Sequence, residues 1–164
     1  MRLPDTFVEA WGPGALGLLR VVTGFMFMAH GMQKILGFPV GRATQTVLLS
    51  LSGVAGLMEL IGGALILLGL FTRPVAFLLS GEMAFAYFMA HAPQGFWPLL
   101  NRGELAALYS FVFLFLAVAG GGAWSLDRAL WNRQSRDASD ASRDLRHRAR
   151  GSAQRERFQV DAAD

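Results

Sequence analysis

The chain has 164 residues, 53% hydrophobic and only 16% charged, and contains no cysteine, which excludes disulfides, thiol redox chemistry, thiolate metal sites and covalent c-type haem attachment. That length suits one compact unit of a few helices. The formal net charge of +3 would normally raise nucleic acid as a partner, but nine of the fifteen Lys+Arg residues lie from Arg128 onward beside six acidic ones, so basicity belongs to a tail and no nucleic-acid partner is expected.

Residues 1–13 hold one arginine, two acids, a Trp and two prolines, and lack the charged start and small-residue cleavage site of a signal peptide. They read as an interfacial segment, and the apolar run after them is expected to stay as an anchor. Four stretches then read as membrane helices: residues 14–36, 47–71, 74–91 and 104–122. At 1.5 Å per residue each approaches or exceeds the ~30 Å hydrocarbon core. A soluble bundle would show a polar stripe on every helix, whereas residues 47–70 carry a single charge, Glu59. Gly37-Phe38-Pro39, Thr72-Arg73-Pro74 and the loop 92–98 separate the segments, and Gly120-Gly121-Gly122 ends the last one.

Four spans place both termini on one side with the Thr72–Pro74 turn. That side holds Arg2, Arg73, Arg128 and Arg133, against Lys34, Arg42 and Arg102 on the other. The positive-inside rule makes it the cytoplasm. Residues 14–127 are thus expected to form an all-α integral membrane four-helix bundle, both termini cytoplasmic, in the bacterial inner membrane. Residues 128–164 mix Arg, Asp, Ala and Ser with almost nothing large and apolar, and are expected as a disordered cytoplasmic tail.

Ionisable residues inside spans cost about 2.5–3.5 kcal/mol at a helix centre and are usually paired, inward or functional. Arg20, Glu59 and Glu82 are therefore the first site candidates. Arg20, Gly24, Phe27, Gly31 and Lys34 share one face of the first helix, and Ser52, Gly56, Glu59 and Gly63 one face of the second. Both stripes read as packed interior. Similar depth predicts an Arg20–Glu82 pair with Glu59 as a second acceptor for the planar guanidinium. The alternatives are a set that merely staples the bundle, or an unpaired, protonated Glu59.

His30 and His91 lie at similar depth near the outer rim, with Lys34 and Glu104. Histidines on different helices are possible haem or metal ligands by type. His91 is nine residues beyond Glu82, half a turn round the helix, so phase separates it from the carboxylates. The bland reading is that both histidines bond loop carbonyls or Glu104. No metal is expected and haem b is disfavoured. Catalytic residues are not assigned.

In order and spacing the chain resembles the DoxX family of small bacterial four-helix membrane proteins. The resemblance runs over residues 16–127 through Leu19-Arg20, Ala29-His30-Gly31-Met32-Gln33-Lys34, Glu59-Leu60-Ile61-Gly62-Gly63 and Leu68-Gly69-Leu70-Phe71-Thr72-Arg73. It continues through Gly81-Glu82-Met83, His91-Ala92-Pro93-Gln94-Gly95-Phe96, Asn101-Arg102-Gly103-Glu104 and Gly120-Gly121-Gly122-Ala123-Trp124-Ser125-Leu126-Asp127. It implies association with quinone-linked oxidation or with membrane complexes that handle oxidative stress, and carries no residue roles. The expectation is an accessory subunit in which Arg20, Glu59 and Glu82 line a quinone pocket or relay protons, while a partner supplies electrons. A small carrier working as a homo-oligomer, and a scaffold whose tail recruits a partner, are the alternatives.

Overall fold

The computed structural model describes residues 5–39, 49–136 and 138. Among them every regular element is helical. α1 spans Asp5–Leu36, α2 Leu51–Leu68, α3 Thr72–Ala86 and α4 Glu104–Ala119. A π turn, Tyr87–His91, and a 3-10 turn, Ala92–Gln94, prolong α3. The bundle belongs to a first compact unit, Met1–Arg128. In the second unit, Ala129–Asp164, residues 129–136 are helical and the tail from 139 on lies outside the described residues, as do Arg2 and Arg42.

α1 starts nine residues earlier than the expected boundary at Gly14. Pro13 lies inside the helix, where it removes one N–H from the ladder. Its own carbonyl accepts a bond from the Ala123 amide at 2.8 Å. The helix therefore runs through a residue that reads locally as a break. α2 is shorter than expected: Ser50 caps it by accepting from the Gly53 amide at 3.1 Å, and Gly69 closes it in the left-handed conformation (φ 69°). An added Cβ at Gly69 would stand 2.9 Å from the Arg20 guanidinium carbon, so both conformation and space require glycine there.

Three helices, Thr6–Leu36, Leu51–Leu68 and Thr72–Gln94, are long and apolar enough to cross a membrane. α4 is as apolar but has 16 residues, about 24 Å. The outer faces display Phe25, Ile61, Phe77, Phe111, Phe115 and Val118, all more than half exposed. Soluble monomers do not carry apolar surface of that extent, and lipid accepts it. With every backbone ladder closed within its own helix, the chain is an integral membrane protein.

The helices form two hairpins. α1 packs most extensively on α2, α3 on α4, and α2 touches α3 far less. The first seam is built on glycine: a Cβ on Gly24 would stand 2.5 Å from the Leu67 amide nitrogen, and one on Gly63 2.5 Å from that of Met28. Gly31 meets Leu60 and Gly56 in the same antiparallel register. The expected small-residue stripes are thus the surfaces where the two backbones meet. In the second hairpin, Ser80 Oγ donates to the Ser110 carbonyl at 2.9 Å and Ser110 Oγ returns a bond to that of Ser80 at 3.1 Å. The hairpins close around Phe27, Tyr109 and Phe113, with Phe27 edge-on to both others at 5.2 and 4.8 Å.

Arg20 does not pair with Glu82 or Glu59. Fully buried, it is saturated by backbone: Nε donates to Gly121 O at 2.8 Å, Nη1 to Ile66 O at 2.7 Å and to Leu67 O, and Nη2 to Trp124 O at 3.2 Å. Ile66 O also accepts from the Gly69 amide at 3.0 Å. Carbonyls in the last turn of a helix otherwise lack intrahelical partners, and the helix dipole makes that end favourable for a cation. Asp127 completes the arrangement, accepting from the Phe71 and Thr72 amides at 2.7 and 2.8 Å and so capping α3. Matching depth alone does not identify the partner, because Glu82 lies ten residues, about 15 Å, along α3 from Thr72. Arg20 is a structural knot at one end of the bundle.

Candidate functional site

At the opposite end, the last turns of α1, the middle of α2, the π turn after α3 and the first turns of α4 enclose a cavity of ≈ 300 Å³. Phe27, His30, Lys34, Glu59, Met83, His91, Arg102, Leu105 and Tyr109 line it. Its floor is aromatic and its mouth basic.

Glu59 is 3% exposed and is held by Lys34, whose Nζ lies 2.6 Å from Oε1. Helix position alone puts Lys34 at the rim and Glu59 at mid-span. The four-carbon stem of lysine spans that difference by reaching inward while its base stays near the interface. The other oxygen, Glu59 Oε2, is buried with no hydrogen-bond partner among the described residues, and so is the Tyr109 hydroxyl. Two polar atoms on the cavity wall are thereby left unsatisfied, each costing about 1–3 kcal/mol unless something binds there.

His30 and His91 both line this cavity with Glu59, nearer to one carboxylate than phase implies, although His91 and Glu82 line different walls as phase has them. The reason is local. Ala92 N bonds back to the Tyr87 carbonyl, a wider turn that absorbs one extra residue and rotates the residues beyond it by about 100°. His91 Nδ1 then lies 2.9 Å from the Asn101 carbonyl, the loop-carbonyl partner anticipated for it. His30 stands edge-on to Tyr109 at 6.2 Å. Buried Asn101 organises the loop, donating to Gly95 O and accepting from Gly103 N, both at 2.8 Å.

Glu104 begins α4 in an exposed position and is not part of the wall. Among the described residues no three His, Asp or Glu side chains gather in a way that holds a metal ion.

Glu82 stands apart, lining an apolar groove of ≈ 420 Å³ between α2 and α3 with Leu51, Val54, Met58, Phe85 and Met89. Both its carboxyl oxygens are buried without a partner among the described residues. The groove and the cavity share Ala86.

Tyr109 and Arg102 line the site without standing out as site residues in the sequence, and Phe27 enters it from the stripe it shares with Lys34. A signal for Tyr109 existed: with Glu104 and Ser110 it is one of the few polar side chains of α4, and it shares a helical stripe with Ala106, Phe113 and Leu116.

Residues 15–92 match the family described as DoxX. An uncharacterized protein of Haemophilus influenzae is 44% identical over 77% of this chain and 98% of its own length. The uncharacterized membrane protein Rv3486 of Mycobacterium tuberculosis is 30% identical, covering 77% of this chain and 87% of that one. The inner membrane protein YqjF of Escherichia coli is 32% identical over 68% of this chain and 88% of its own. No solved structure matches the chain.

Proposed function

The chain belongs to the DoxX family, and on that premise we propose that it is a bacterial inner-membrane accessory subunit of a quinone-linked redox system, its ligand bound in the Lys34–Glu59 cavity. The observation that carries this reading is the wall itself: an aromatic floor of Phe27 and Tyr109 joined to two unsatisfied polar atoms, Glu59 Oε2 and Tyr109 Oη. A ring flanked by oxygen substituents uses both halves, stacking or packing edge-on below and hydrogen-bonding above. The volume is at the small end of ligand sites and suits one such ring. With no cysteine in the chain, electrons come from a partner, and this subunit holds the ring and its protons.

In this reading α4 completes four spans, with both termini cytoplasmic and the cavity near the outer face. Glu82, set between the lipid-facing groove and the cavity, serves as a proton relay toward Glu59. Purification in mild detergent followed by mass spectrometry of bound small molecules and proteins is the direct test. A quinone and an electron-transfer partner are expected to co-purify. Protein free of both, in cells whose sensitivity to quinones and peroxide is unchanged by E59Q and E82Q, overturns the reading.

A further inference from the structure

We infer that the cavity binds the hydroxyl-bearing, reduced form of its ring in preference to the oxidised carbonyl form, with Glu59 Oε2 as the discriminating acceptor. The inference rests on the reading that the cavity holds a quinone-type ring and goes one step further, to the oxidation state held.

Lys34 occupies Glu59 Oε1 at 2.6 Å. A carboxylate so paired is an acceptor on all its lone pairs and donates nothing. Its second oxygen is buried and unpartnered among the described residues, on a residue that lines the cavity, whose other buried walls are Phe27, Met83 and Tyr109. An O–H group is the partner that satisfies it. A quinone presents only carbonyl lone pairs and meets it acceptor to acceptor. A quinol or phenol of the same ring donates to it, forming a charge-assisted bond of the stronger class.

Tyr109 Oη and His30 do not reverse this, since a phenolic hydroxyl and a neutral imidazole can each donate or accept and serve both forms, and His91 has its Nδ1 against the Asn101 carbonyl. The cationic groups, Lys34 and Arg102, are the donors that would favour a carbonyl. Lys34 is already committed to Glu59, and Arg102 is exposed at the mouth. The acceptor is therefore inside and the cationic donor outside. Sites built to bond a hydroxyl reject the analogue that lacks it far more strongly than apolar pockets discriminate by size.

The test is equilibrium dialysis of the purified full chain in detergent micelles against duroquinone, anaerobic duroquinol and tetramethylphenol, which has one hydroxyl and does not cycle. Duroquinol and the phenol are expected to bind at least about tenfold more tightly than duroquinone, the size of one charge-assisted hydrogen bond. In E59Q, whose amide both donates and accepts, the preference is expected to fall to within about threefold. Y109F, which keeps the carboxylate, is expected to weaken binding while leaving the preference in place. Equal or tighter binding of duroquinone to the unaltered protein overturns the inference and leaves the quinone reading standing. So does a preference that survives in E59Q of unchanged elution profile. If none of the three rings binds, both fall together.

Discussion

Arg20 and Glu82 show how alike two intramembrane charges look in sequence and how differently they are used. Arg20 has four backbone acceptors, so R20K, which loses the planar fork, is expected to destabilise the bundle by about 2–4 kcal/mol through carbonyls left unpaired. Denaturant unfolding in mixed micelles reads this directly. Glu82 has no hydrogen bond to lose among the described residues, and E82L is expected to leave stability unchanged or raise it by about 1 kcal/mol. A residue whose removal improves the fold is retained for another reason. The Lys34–Glu59 pair lies between these cases. K34M strands a buried carboxylate and is expected to cost about 3 kcal/mol, while the double variant K34M/E59M recovers most of it. The same unfolding assay, run as a double-mutant cycle, measures the recovery. Sequence located all of these residues correctly within spans. It could not give their partners, because a guanidinium bonded to main-chain carbonyls leaves no complementary side chain to find.

The elements were the most legible part of the chain. Apolar length set three helices, and glycine spacing marked the faces on which α1 and α2 meet. G24A and G63A each place a Cβ 2.5 Å from opposing backbone nitrogen. Both are expected to lower stability by about 1–3 kcal/mol, whereas G81A, with nothing within 4 Å of the new atom, is expected to gain several tenths of a kcal/mol from helix propensity. Two features escape sequence patterns for physical reasons. α1 continues through Pro13 because helix on either side and a tertiary bond to Pro13 O outweigh the local break. His91 turns toward the cavity of Glu59 because one wide turn resets the helical phase, and a strict 3.6 period has no means of announcing it.

At the scale of the molecule, two glycine- and serine-seamed hairpins enclose an aromatic core with a structural knot at one end and a polar cavity at the other. The cysteine-free sequence makes the four-span arrangement simple to check. The single-cysteine variants R73C and R102C are expected to react with an impermeant maleimide from opposite sides of the membrane, R73C from the cytoplasm and R102C from outside. Labelling of both from one side refutes that arrangement. The candidate site lay half in view: His30, Lys34, Glu59 and His91 stand out in the sequence, but only packing shows that they share one cavity and that Arg20 and Glu104 do not.

The knot at Arg20 also bears on how the protein is made. Its most distant acceptor on the chain, Trp124, lies 104 residues downstream, and synthesis at about 5–20 residues per second delivers it some five to twenty seconds after the arginine. Until α2 follows, α1 carries an uncompensated cation that disfavours staying in the bilayer. The carbonyls of Ile66 and Leu67 arrive first, with the end of α2, so partial compensation precedes the rest. The four-acceptor shell of Arg20 is thereby complete only once residues 120–124 have emerged, and chains truncated before Gly120 are expected to unfold at lower denaturant than the full chain.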